Sequence, residues 1–82
     1  MTRDELYTWL TERFVEVLEV DPSEITPETD FADLDADSID LIEVINAAER
    51  QFGLEIEEQK LYDLETVGQL VDLLDREIAR QR

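Results

Sequence analysis

The chain has 82 residues, no cysteine and no histidine, and it carries 23 acidic against 7 basic residues, for a net charge of -16. The missing cysteines exclude a disulfide scaffold and a thiolate metal site. The missing histidines remove the commonest general base, and the negative charge argues against binding to nucleic acid or to anionic lipid surfaces. Composition therefore predicts that the protein is not an enzyme and binds no nucleic acid.

The first predicted helix begins at Thr2. The sequence TRDE has the spacing of a capping box, in which Thr2 and Glu5 each accept a hydrogen bond from the other's backbone amide. An apolar stripe follows at intervals of three and four residues, which predicts an amphipathic helix that packs on a core. The stripe consists of Leu6, Trp9, Leu10, Phe14, Val17 and Leu18.

A long polar loop, DPSEITPETDFADLDAD, follows from Asp21. It contains two prolines, and its main apolar anchors are Ile25, Phe31 and Leu34. Loops of this length are uncommon in small domains and are often functional. We therefore expect part of the function to lie in or beside this segment.

The second predicted helix starts at Asp37 or Ser38 and runs to about Phe52, where Gly53 can adopt the left-handed conformation that ends a helix. Helical periodicity divides its residues between two faces. The predicted core face holds Leu41, Ile45, Ala48 and Phe52, with Val44 at its margin. The predicted outer face holds Ile39, Glu43, Asn46 and Arg50, with Ile42 near the boundary. Ile39 and Ile42 either meet a partner or cargo, or pack beneath the preceding loop.

Two more helices complete the prediction. One is short, around Glu57 to Tyr62, and the other begins with a capping box over Thr66 to Gln69. The apolar stripe of the last helix is Val67, Leu70, Val71, Leu74 and Ile78. No segment shows the sustained alternation of a strand. The expected fold is all-α, a four-helix bundle with a long loop after helix one and a short third helix.

Ser38 lies at the junction of the long loop and the second helix, among several aspartates. The simplest interpretation is capping, by Asp37 or Ser38, with Asp40 complementing the helix dipole. A calcium loop is a poor fit: with Asp33 at position 1, Ser38 takes the place of the required glycine and Val44 that of the bidentate glutamate. Catalysis by Ser38 lacks a histidine base. We predict no metal site.

The segment DADSIDLIEVINAAERQFGLEI resembles the acyl carrier proteins, and the similarity runs without gaps from about Phe31 to Leu74. The resemblance implies that Ser38, after Asp37, receives 4'-phosphopantetheine from coenzyme A, and that the thiol of this arm carries acyl groups as thioesters. A phosphodiester is favoured at that position, because a helix N-terminus offers free amides and a positive dipole end.

The same resemblance implies a docking face on helix two, formed by Ile39, Ile42, Glu43 and Asn46. Three positions depart from the family pattern: Ile39 replaces a leucine, Asn46 stands where an apolar residue is common, and Asp35 stands where glycine is common. The implied partners are a phosphopantetheinyl transferase and acyl-loading and chain-modifying enzymes with basic docking patches. The implied pathways are fatty-acid, polyketide or related lipid biosynthesis.

Residues 1–82 are expected to form one monomeric acyl carrier domain. A free-standing carrier is expected, although a module excised from a longer protein would have the same sequence features. The absence of a long apolar segment and of a signal peptide predicts a cytoplasmic protein without membrane insertion. Two alternatives remain open from the sequence. One is an acidic helical adaptor in which Ser38 only caps the helix, and the other is a peptidyl carrier.

Overall fold

The computed structural model describes residues 2–81, and three α-helices form its frame. They are α1 (Arg3–Leu18), α2 (Ser38–Phe52) and α3 (Val67–Arg80). A 3₁₀ helix, Glu58–Asp63, lies between α2 and α3, and the long loop contains two 3₁₀ turns, Pro22–Glu24 and Phe31–Leu34. Within residues 2–81 there is no strand, only an isolated antiparallel bridge between Asp30 and Thr66. The predicted all-α fold with four helices is confirmed.

The helix ends follow the local signals in the sequence. Capping boxes form at Thr2–Glu5, Asp37–Asp40 and Thr66–Gln69, and Gly53 ends α2 with a φ of 67°. Two of the boxes were not predicted from the sequence: the one at Asp37–Asp40, where only a cap was expected, and a fourth one that joins Asp21 and Glu24 around Pro22. The third helix is 3₁₀ rather than α: it has six residues and no side chain that caps its N-terminus.

The centre of the core-facing side of α2 differs from the prediction. Val44, expected at the margin, is fully buried, while Leu41 and Phe52 are only half-buried. α1 packs against α2, and Val44 lies at the groove between these two helices. Leu41 instead borders a cleft beside Ser38, and Phe52 stacks edge-on against Trp9 with ring centroids 5.0 Å apart. Helical periodicity defines a face, but the neighbouring helix decides which residue lies at its centre.

The long loop is held at both of its flanks. The Tyr7 hydroxyl donates a hydrogen bond of 3.1 Å to the Ile25 carbonyl, and the Phe31 ring lies 5.7 Å from the Phe14 ring in the core. Backbone hydrogen bonds also join the loop to the start of α3, where helix amides lack partners of their own. These bonds run from Phe31 N to Glu65 O (2.9 Å), from Val67 N to Thr29 O (3.1 Å) and from Gly68 N to Pro27 O (2.8 Å).

Asp35 has a left-handed backbone, with a φ of 56°, directly after the second 3₁₀ turn. Left-handed backbone costs an L-residue about 1 kcal/mol that glycine does not incur. We expect Asp35→Gly to raise the free energy of unfolding by up to about 1 kcal/mol, as measured by urea denaturation. Asp33→Gly removes the same charge at a position with negative φ and should lower stability. Equal effects of the two substitutions would contradict the assignment of strain to Asp35.

Candidate functional site

Ser38 is the first residue of α2, and the capping role belongs to its neighbour. The Asp37 carboxylate accepts a hydrogen bond of 2.9 Å from the Asp40 amide, and the Asp40 carboxylate accepts one of 3.2 Å from the Asp37 amide. Ser38 is exposed, and its hydroxyl forms no hydrogen bond with any group of residues 2–81. The structure therefore assigns the cap to Asp37 and leaves the Ser38 hydroxyl available for chemistry.

The backbone around Ser38 is suited to a phosphate. The amides of Ser38 and Ile39 are the first two of the helix, and neither has an acceptor among residues 2–81. Free amides and the positive end of the helix dipole together favour an anion at this point. A phosphodiester on the Ser38 oxygen thus fits the local geometry despite the surrounding aspartates.

Backbone hydrogen bonds anchor the turn before Ser38. The amide of Asp35 bonds the Ala32 carbonyl at 3.2 Å, and the amide of Ala36 bonds the Phe31 carbonyl at 3.0 Å. Because the Phe31 ring is buried, these bonds connect the segment before Ser38 directly to the core. The serine is therefore presented at a defined point of the surface.

A cleft of about 240 Å³ opens beside Ser38, between α2 and the 58–63 helix. Its wall is mainly apolar, and its polar groups include Asp37, Ser38 and Glu58. The Tyr62 side chain also lines the cleft, and Tyr62 is 72% exposed. The apolar wall consists of Phe31, Ala36, Leu41, Ile42, Leu61 and Leu64.

The four predicted docking residues, at i, i+3, i+4 and i+7 of α2, differ in exposure and in the grooves that they line. Ile39 is 67% exposed next to Ser38, which excludes its packing beneath the loop. Ile42 is half-buried, packs against the core and lines the Ser38 cleft. Glu43 and Asn46 are exposed and line a different groove, between α1 and α2. Ile39, Glu43 and Asn46 are thus the exposed members of the predicted face, and Ile42 also lines the cleft.

The groove between α1 and α2 also contains Arg13 and Arg50, the two basic residues that bracket a stretch with twelve acidic residues and no basic one. The Arg13 guanidinium bonds Glu16 at 3.2 Å and lies 5.4 Å from the centre of the Trp9 ring. Folding thus places two cations beside Glu43 on a surface that the sequence presents as uniformly negative.

Residues 2–81 contain neither a cluster of metal-binding side chains nor a membrane-spanning helix. Within residues 2–81 no three acidic side chains converge where they could hold a metal ion, and this includes the aspartates of the calcium loop that the sequence fits poorly. None of the helices has the length and apolarity needed to cross a bilayer.

Comparison with known proteins identifies the family of the chain. The family described as "Phosphopantetheine attachment site" matches residues 8–74, which span Ser38. The acyl carrier protein of Petrotoga mobilis is 40% identical over 79 residues, covering 95% of this chain and 93% of the relative. The chain belongs to the acyl carrier protein family.

Solved acyl carrier proteins have the same fold. The crystal structure of the acyl carrier protein from Thermotoga maritima matches with a TM-score of 0.86 at 26% identity, over 98% of this chain and 94% of the other. The acetyl actinorhodin acyl carrier protein from Streptomyces coelicolor matches with a TM-score of 0.76 at 27% identity, over 100% and 95%. As an acyl carrier protein, this chain bears a covalent 4'-phosphopantetheine arm, whose thiol holds acyl groups as thioesters.

Sequence reasoning missed part of the site of this acyl carrier protein. Leu61, Tyr62 and Leu64 line the cleft, but they lie in and just after a 3₁₀ helix too short for a periodic pattern to be read. The only available signal was their apolar character. Their position beside Ser38 follows from the packing of the 58–63 helix.

Proposed function

We propose that Ser38 is the attachment site of the phosphopantetheine arm. The observation that carries this assignment is its exposed hydroxyl, which lacks a hydrogen-bond partner in residues 2–81 and adjoins two free helix amides. The only other serine, Ser23, lies in a three-residue 3₁₀ turn, and its hydroxyl donates a hydrogen bond of 2.8 Å to Asp21. Asp37 supports the site by capping the helix and leaving Ser38 free.

The cleft beside Ser38 indicates the class of cargo. Its apolar wall favours the hydrocarbon part of an acyl group, because burial of apolar surface is the main driving force available there. Its volume of about 240 Å³ is below the ~300–1,000 Å³ typical of sites for drug-sized ligands. We therefore propose short acyl chains, of fatty-acid or polyketide type, as the cargo that this cleft shelters.

Modification and loading test the proposal together. The chain is incubated with coenzyme A, Mg²⁺ and a broad-specificity phosphopantetheinyl transferase, and its intact mass is measured. We expect the addition of a single phosphopantetheine unit, and of a single acylated unit when hexanoyl-coenzyme A replaces coenzyme A. Hydroxylamine should then release the acyl group, as expected for a thioester. An unchanged mass would refute the assignment.

The exposed part of α2 supports a further proposal, that partner enzymes dock there through basic patches. Glu43 is exposed on this face, and long-range attraction between opposite charges raises association rates. The partners proposed are the phosphopantetheinyl transferase and the acyl-loading and chain-modifying enzymes.

The sequence predictions of a monomer and of a single domain over residues 1–82 remain proposals. The latter is supported by one apolar core with side chains from α1, α2 and α3.

Association with the transferase should depend on salt and on Glu43. Raising the ionic strength to about 0.5 M shortens the Debye length to under about 5 Å, so the association rate should fall. Glu43→Lys should lower it by about three- to tenfold at low salt. Glu28→Lys makes the same charge change on the long loop and serves as the control in stopped-flow measurements. An association rate indifferent to salt and to Glu43→Lys would show that the charge plays no part in capture.

A further inference from the structure

Glu77 on α3 is the one buried charged residue within residues 2–81, at 5% exposure. Its Oε1 atom lies 2.7 Å from Lys60 Nζ, and Arg80 Nη1 lies 3.3 and 3.4 Å from its two carboxylate oxygens. A buried carboxylate is costly unless it is paired and hydrogen-bonded. The hydrogen bond from Lys60 accordingly lowers the pKa of Glu77 below the ordinary glutamate value, against the opposing effect of burial.

The two cations around Glu77 differ in what they connect. Arg80 lies three residues from Glu77 on the same helix, so this contact remains within α3. Lys60 lies 17 residues away in sequence, on the 58–63 helix. The Lys60–Glu77 pair therefore ties the 58–63 helix to α3, whereas the Arg80–Glu77 pair does not.

The 58–63 helix has few other attachments. It has no side-chain hydrogen bond at its N-cap residue, Glu57, and Leu61 is its single buried residue. Glu58, Leu61 and Tyr62 of the same helix line the cleft beside Ser38. A shift of this helix relative to α3 would therefore change the width of the cleft.

We infer that Lys60 is a positioning residue for the cargo cleft: its ion pair with Glu77 holds the 58–63 helix against α3 and so determines how well the cleft shelters an acyl chain. This inference rests on the proposed function, in which the arm is attached to Ser38 and its acyl chain enters the cleft. Lys60 and Glu77 line a separate groove that shares Leu64 with the cleft, and neither of the two residues lines the cleft itself.

The matched substitutions are Lys60→Met and Arg80→Met. Each removes one cation from Glu77 and changes the net charge equally, but only Lys60→Met cuts the tie between the two helices. Lys60→Arg keeps the charge and should restore the behaviour of the unsubstituted protein. Circular dichroism and thermal melts establish that each variant is folded.

The test compares hexanoyl and acetyl groups on the arm of each variant. The rate of thioester cleavage by hydroxylamine is measured for both, because an acetyl group is too short to need the cleft. We expect hydroxylamine to cleave the hexanoyl thioester about fivefold faster on Lys60→Met than on the unsubstituted protein, and the acetyl thioester at an unchanged rate. A change of about fivefold corresponds to the loss of a partly exposed ion pair. Arg80→Met and Lys60→Arg should leave the ratio of the two rates unchanged.

Hydrogen exchange of the unmodified chain provides an arm-independent measurement. Amides of residues 58–63 should exchange faster in Lys60→Met than in Arg80→Met. Equal exchange in these two variants, or an unchanged hexanoyl-to-acetyl ratio in Lys60→Met, would overturn the inference. Failure of the proposed function would look different: the unsubstituted protein would accept no arm, or would not protect hexanoyl over acetyl.

Discussion

Replacing Ser38 with alanine should abolish attachment of phosphopantetheine completely, because the variant lacks the oxygen that would bond to phosphorus. After incubation with coenzyme A, Mg²⁺ and a broad-specificity transferase, intact mass spectrometry should show only the unmodified chain. The fold should persist, since the Ser38 hydroxyl makes no hydrogen bond within residues 2–81 and the cap belongs to Asp37. The Ser38→Ala melting temperature should therefore stay close to that of the unmodified parent.

Ser23→Ala is the matched control for Ser38→Ala. It removes the only other serine hydroxyl of the chain, at a position that is also exposed. We expect it to accept one phosphopantetheine unit, like the parent. Because the Ser23 hydroxyl bonds Asp21, this variant should lose a little stability that Ser38→Ala does not. Modification of Ser38→Ala, or its loss in Ser23→Ala, would contradict the assignment of the arm to Ser38.

Gly68→Ala should destabilise the fold even though alanine is the better helix former. A Cβ atom on residue 68 would lie 2.8 Å from the Pro27 carbonyl oxygen, a backbone atom that cannot move aside without the loop. The same carbonyl accepts the hydrogen bond of 2.8 Å from the Gly68 amide. We expect a loss of about 1–3 kcal/mol, from a total of about 4–12 kcal/mol for a domain of this size.

Gly53→Ala is the control that separates this contact from glycine effects in general. Gly53 has a φ of 67° with open space around it, so alanine there should cost only the left-handed backbone, about 1 kcal/mol. Urea denaturation gives both values. In Gly68→Ala, hydrogen exchange should also show loosening of the loop around Pro27. A Gly68→Ala protein more stable than the parent would mean that the loop moves at little cost.

Helix positions were predictable because their signals are local. Capping boxes at Thr2 and Thr66 and the stripes of α1 and α3 depend on residues three or four apart, and the stop of α2 depends on the single residue Gly53. The same holds for the junction at Asp37 and Ser38, which placed the candidate serine at the start of α2. The distribution of acidic and basic residues along the chain was equally predictable, because it follows directly from the residue types.

Packing decided several features that these local signals could not. Periodicity placed Leu41 in the core face and Val44 at its margin, but Val44 is fully buried at the junction of α1 and α2, and Leu41 borders the cleft. On α3 the apolar stripe was visible, whereas the buried Glu77 was not, because a glutamate is buried only where a cation meets it. That cation, Lys60, comes from a different helix.

The sequence by itself determined the helices, their ends, the acidic character and the serine that the family resemblance singles out. Only the tertiary structure decided that the long loop is attached to the start of α3, that a cleft opens beside Ser38, and that Arg13 and Arg50 line the same groove. The physical reason is range. A helix cap and an apolar stripe depend on residues three or four apart in the sequence. A cleft or an ion pair between helices forms only when segments that are distant in the sequence pack together.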